Sequence, residues 1–122
     1  MSLGSPDVTE KCRPAANVLA RVGDKWTMLV VMTLWDGALR FSELRRAIPA
    51  VSQRMLTLTL RHLERDGLVQ RTVTPSTPPR VDYELSALGR SLGASVQQLG
   101  QWAVDHHAAM QEAQSNYDAR QP

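Results

Sequence analysis

The stretch Ser52-Gln-Arg-Met-Leu-Thr-Leu-Thr-Leu-Arg-His-Leu-Glu-Arg-Asp66, closed by Gly67, decides the fold. Ser52 can cap a helix by accepting from a first-turn amide, and glycine commonly follows a helix end. On a wheel turning about 100° per residue, Leu56, Leu60 and Leu63 fall within about 60° of one another. Arg54, Leu58, Arg61 and Arg65 occupy the opposite arc, with Gln53 and Thr57 on its flank. One side can enter a core, and the other offers forked and amide hydrogen bonds. Arginine can grip guanine with two hydrogen bonds, glutamine can pair with adenine, and threonine can reach a phosphate or a thymine methyl. The helix start, with the Ser52 hydroxyl, suits a phosphate. The DNA-contact set expected on these grounds is Ser52, Gln53, Arg54, Thr57 and Arg61, with Arg65 near the far end touching the backbone. Leu58 is apolar within the polar arc. It can meet thymine methyls or pack on the wing, and packing is the expectation.

Upstream, Pro49-Ala-Val-Ser52 makes a short turn. Before it, Ser42 can cap a brief helix, Glu43 to Ala47, and Leu39-Arg40 can form a short strand. Asp24 can cap a helix over Lys25 to Trp35 that is apolar nearly all round, hence the buried centre. A first helix is predicted from Pro14 to Gly23. Downstream, Leu68 to Thr74 alternates apolar and polar residues, as does Arg80 to Leu85, with Pro75-Ser-Thr-Pro-Pro79 between them. That pattern predicts a hairpin with a stiff tip. Ser86 can cap a last helix reaching about Ala113. Two helices joined by a short turn and followed directly by a hairpin make a winged helix-turn-helix. The fold class is therefore α+β, mainly α. Residues 12–113 form the domain, residues 1–11 a loose start and residues 114–122 a flexible tail. In the wing, Arg80 is the expected contact to phosphate or minor groove, ahead of Arg71.

The totals agree. The chain has 122 residues, 43% hydrophobic, which suits one domain with a real core. Net charge is only +2, but eight arginines and three acids lie between Arg40 and Arg80. A basic middle suits a polyanion-binding surface, and a solvated arginine-rich face is the competing reading. No apolar run nears the ~20 residues of a membrane span. With no secretion signal and a single cysteine, Cys12, the chain reads as cytoplasmic, without an internal disulfide framework.

The last helix, through Ala113, would be about 40 Å long, more than so small a domain can cover. Leu88, Leu92, Leu99, Ala103, His106 and Met110 share one stripe, with Trp102 beside it. A stripe without an internal partner implies a second subunit. Gly93 and Gly100 weaken the helix, so a bend or break is expected as an option. His106-His107 invites a metal reading, but adjacent helical positions diverge by about 100°, and no cysteine or acidic cluster joins them. No metal and no cofactor is expected. No Cys-x-x-Cys pair, phosphate loop or nucleophile–base arrangement appears, so catalysis is not expected. A winged-helix module that binds proteins rather than DNA is the alternative, and it would call for an acidic or apolar outer face.

Five segments carry a family resemblance: Gly23-Asp-Lys-Trp26, Arg40-Phe-Ser-Glu-Leu-Arg45, Val51-Ser-Gln-Arg-Met-Leu-Thr57, Leu60-Arg-His-Leu-Glu-Arg-Asp-Gly-Leu-Val69 and Pro78-Pro-Arg-Val-Asp-Tyr83. With Leu88-Gly89 they resemble the HxlR-type family of bacterial winged-helix regulators over Cys12 to Trp102. The resemblance implies a non-catalytic homodimer on double-stranded operator DNA, more often repressing, with first and last helices building the dimer. Leu58 departs from the polar residue usual there. Several members sense electrophiles or oxidants through a cysteine before the first helix, which puts Cys12 forward as a redox sensor. Proline often follows that cysteine directly, whereas here Pro14 stands two positions on. Lys11, Arg13 and a helix start nearby favour its thiolate. A lone cysteine of no consequence is the alternative, and a small-molecule effector stays open.

Overall fold

Side-chain oxygens start three of the helices. The computed structural model describes residues 13–121. Helix α1 spans Arg13–Val22, α2 Lys25–Thr33 with a 3-10 turn Leu34–Asp36, strand β1 Leu39–Arg40, α3 Phe41–Ala47, α4 Gln53–Arg65, β2 Val69–Thr74, β3 Arg80–Leu85, and α5 Ala87–Arg120. Asp24 accepts from the Thr27 amide at 3.2 Å, Ser52 from Met55 at 3.0 Å and Ser86 from Gly89 at 3.0 Å. Each satisfies one amide that a helix start leaves orphaned.

Helix α3 starts differently from the expectation. Ser42 lies inside it, and Arg40 is the cap, with extended backbone. Arg40 is still paired with Asp82 in the sheet, so strand passes straight into helix. The Glu43 carboxylate reaches back to accept from the Arg40 amide at 2.9 Å, the reciprocal half of a capping box.

The core lies where α2, α3 and α4 meet. Val30 and Val31 of α2, Leu44 of α3, and Leu56, Leu60 and Leu63 of α4 are essentially out of water. The inward stripe read from α4 is thus observed, joined by buried Thr59. Strand β3 pairs antiparallel with β1 and β2, giving sheet order β1-β3-β2. The hairpin register runs from Val69 opposite Leu85 to Thr74 opposite Arg80. Val69 and Leu85 anchor its base in the core, and residues 70–80 are all exposed. α1 contributes no buried residue.

The junction of α4 and α5 is tightly made. Gly67 has φ +76°, a left-handed conformation that glycine adopts without penalty. Its amide donates to Glu64 O, and the Leu68 amide reaches back to Leu63 O at 2.9 Å. These two bonds form a Schellman close. The Ser86 amide donates to Leu68 O at 3.0 Å, and its hydroxyl to Gly67 O at 2.6 Å.

Helix α5 then crosses this junction on small residues. A Cβ at Gly89 would stand 1.9 Å from the Leu68 carbonyl oxygen, and one at Gly93 would stand 2.7 Å from the Trp35 ring. Arg90 holds the same tryptophan, donating to its carbonyl oxygen at 3.1 and 3.3 Å, with its guanidinium 5.1 Å from the ring centroid. Gly93 therefore lies within unbroken helix as a point of close approach, and Gly100 also leaves the helix continuous.

The helix also runs past the expected end at Ala113 to Arg120. Residues 113–120 contain no glycine or proline, and the apolar stripe continues through Ala113 to Tyr117, so nothing local stops it. The flexible tail expected from residue 114 is helix instead. Gln121, extended, precedes Pro122, and a residue before proline is disfavoured in the α region. The loose start expected for residues 1–11 lies outside the described residues.

Two glycine substitutions should separate close packing from helix propensity. Gly89→Ala meets fixed backbone and should lose about 2 kcal/mol or more in urea unfolding, overpacking outweighing the ~1 kcal/mol propensity gain. Gly100→Ala would meet only the flexible end of Met32, at 3.2 Å. It should be neutral or stabilising.

Candidate nucleic-acid interface

The outer surface of α4 is set by what its inner surface buries. With Leu56, Leu60 and Leu63 fixed inward, Arg54, Leu58, Arg61 and Arg65 recur along the opposite ridge, within about 60° of one another. Arg54, Arg61 and Arg65 are exposed and enter no ion pair with any described residue. Gln53 and Thr57 flank that ridge. Thr57 is half-buried, and its hydroxyl donates to Gln53 O at 2.8 Å. Ser52 is exposed with its oxygen engaged by the Met55 amide, which leaves its hydroxyl proton available to an outside acceptor.

Three shallow depressions adjoin through shared residues. One is lined by Gln53, Arg54, Thr57, Leu58 and Arg61. The second is lined by Phe41, Ser42, Arg45, Arg46 and Gln53. The third holds Phe41, Thr57, Arg61, Glu64, Arg71 and Tyr83. The basic surface therefore extends from α4 onto α3. Arg45 and Arg46 belong to it although the sequence reading assigned them no contact. Their signal was available: both fall in the last turn of the helix before the turn, where their side chains lie beside the start of α4.

The wing arginines differ from those of the ridge. Arg80 Nε lies 3.1 Å from Asp82 Oδ2, and Arg71 Nε lies 3.9 Å from Glu64 Oε2. Such exposed pairs are worth about 0–1 kcal/mol, so a phosphate can displace the carboxylate. Leu58 is less covered than packing on the wing would make it. It is 42% exposed and borders the first depression, whose lining includes no wing residue.

The residues expected at a subunit interface lie elsewhere, on α5. Leu88, Leu99 and Trp102 are each more than half exposed, and Ala103 and His106 are exposed. Leu92 is half-buried against its own core. His106 stacks on Trp102, centroids 4.5 Å apart, and its Nδ1 lies 2.8 Å from Trp102 O. Cys12 lies outside the described residues. No described helix is long and apolar enough to cross a membrane.

A helix-turn-helix whose second helix buries leucines and presents arginines, followed at once by a hairpin, is the architecture of winged-helix transcriptional regulators. Comparison with known proteins narrows the class. The model of the HxlR-like helix-turn-helix family matches residues 21–111. A Methanothermobacter thermautotrophicus HTH-type transcriptional regulator is 52% identical over 81 residues. That match covers 66% of this chain and 62% of the relative, less than two thirds of its length. The Bacillus subtilis regulator YybR is 40% identical over 103 residues, covering 84% of this chain and 82% of its own. Among solved structures, the redox regulator HypR in its reduced form superposes with a TM-score of 0.76 at 39% identity, covering 81% of this chain and 98% of HypR. HypR in its oxidised form gives 0.71 at 42% identity, covering 75% and 95%. The chain belongs to the HxlR-like helix-turn-helix family, whose members are transcriptional regulators and not enzymes.

Proposed function

We propose that the protein is a homodimeric, sequence-specific DNA-binding repressor that reads an operator with α4 in the major groove. The observation that carries this reading is the α4 ridge, where Arg54, Arg61 and Arg65 stand exposed opposite a fully buried leucine stripe. Arg45 and Arg46 extend the charge towards the phosphates on one side, and Arg71 and Arg80 of the wing do so on the other. An acidic or apolar outer face would have favoured a protein-binding module, and this face is basic.

Dimer formation is supported by α5 and α1. From Gln101 to Arg120 every residue of α5 is exposed, on a helix whose 34 residues span about 50 Å. Leu99, Trp102, Met110 and Tyr117 are each about half exposed, and Val18 and Leu19 of α1 about two thirds. So much uncovered apolar surface is unusual on a monomer. Two copies would present two α4 helices to the halves of a palindromic site. Regulation through a thiol is supported by the likeness to HypR, a redox regulator solved in both oxidised and reduced forms. It would act here through Cys12.

Four measurements test this reading. Arg54→Ala and Arg61→Ala should each cost about 1–3 kcal/mol in operator binding and relax base preference. Wild-type binding should fall about a thousandfold or more between about 50 and 200 mM salt if six or more phosphates are contacted. Normal operator binding by both variants would overturn the assignment of α4. Trp102→Glu should sediment as a folded monomer, because Trp102 is half exposed and is not one of the buried core residues, and its operator affinity should drop. Diamide should release wild-type protein from DNA and leave Cys12→Ser bound. Equal release of both would exclude Cys12 as the sensor.

A further inference from the structure

Leu58 stands in the middle of the α4 ridge, one helical turn from Arg54 and one from Arg61, and 42% exposed. It is absent from the hydrophobic side chains packed on the core. A leucine held open among arginines gains free energy only where an apolar group covers it. An apolar protein surface is a poor cover, because the same contact would desolvate the neighbouring guanidinium groups. The major groove offers one apolar group among its donors and acceptors, the C5-methyl of thymine. A residue at the centre of the outward ridge faces the groove floor, whereas residues on its flanks face the phosphate walls.

Resting on the reading that α4 enters the major groove, we infer that Leu58 is a specificity-determining residue whose side chain packs on a thymine methyl in each half-site. Along the helix, Leu58 lies about 6 Å from Arg54 and about 4.5 Å from Arg61. With about 3.4 Å between successive bases of a strand, the thymine falls within about two base pairs of what each arginine contacts. Arg54 and Arg61 thus bracket the thymine, and the half-site is defined by an apolar contact between two charged ones.

The experiment uses the full chain and the duplex it selects from a random-sequence pool. Each thymine is replaced singly by deoxyuridine, which keeps the base pair and removes only the methyl. One thymine per half-site should lose about fourfold in affinity on replacement, the worth of one buried methyl-sized group, and the other positions should not change. Leu58→Ala should bind thymine and uracil duplexes alike, with its thermal unfolding unchanged because the side chain lies outside the core. Arg54→Ala should bind more weakly overall yet keep the fourfold uracil loss. Leu58→Gln should shift the preference at that position to adenine. Indifference of the wild type to uracil at every position, or retention of the full loss by Leu58→Ala, overturns this inference while specific DNA reading stands. A chain that selects no sequence at all overturns both.

Discussion

The close approach of α5 to the end of α4 is the constraint on which the rest depends. Gly67 reverses the chain, Leu68 presents its carbonyl, and Ser86 and Gly89 receive it with no side chain between them. The hairpin separates the end of the reading helix from the start of the long one in sequence, yet Ser86 bonds directly to the Gly67 and Leu68 carbonyls. Any shift of α5 is therefore felt at α4. Arg21 of α1 pairs with Asp66, the C-cap of α4, so the first helix is tied to the same corner. A regulator needs such a corner, because the distance between two reading heads can then follow the arrangement of the helices that join the subunits.

Charge and packing divide α4 cleanly. The leucine face fixes its rotation, and rotation decides which side chains a groove would meet. The arginines themselves contribute little to stability, since they make no ion pair with a described residue. A surface kept free of internal salt bridges costs stability little and leaves its charges available to phosphates. The wing arginines hold weak carboxylate partners instead, Asp82 and Glu64, which lower the charge presented until a stronger anion arrives.

Much of this was legible in the sequence because it is local. The period of Leu56, Leu60 and Leu63 gave the helix and its rotation, the alternation of residues 68–74 and 80–85 gave the wing, and Asp24, Ser52 and Ser86 marked three helix starts. What escaped depends on distant contacts. Gly93 looked like a weakness in a helix because Trp35, its reason for being small, is 58 residues away in sequence. Ser42 looks like a cap because the strand Leu39-Arg40, read alone, does not show that it runs without a break into the first turn of α3. Arg45 and Arg46 were counted as charge without being placed, since only the turn into α4 sets them beside Gln53. Leu58 reads as a packed residue because an apolar side chain is ordinarily covered, yet it is 42% exposed.

The most direct test of the central claim is dimethyl sulfate probing of guanine N7, a major-groove atom, on the duplex the protein selects. If paired α4 helices read the major groove, protected guanines will fall in two patches about 10–10.5 base pairs apart, or a multiple of that. Protection will also vanish at individual guanines with Arg54→Ala or Arg61→Ala. Protein bound with every guanine N7 still reactive, or one patch without a symmetric mate, would contradict it.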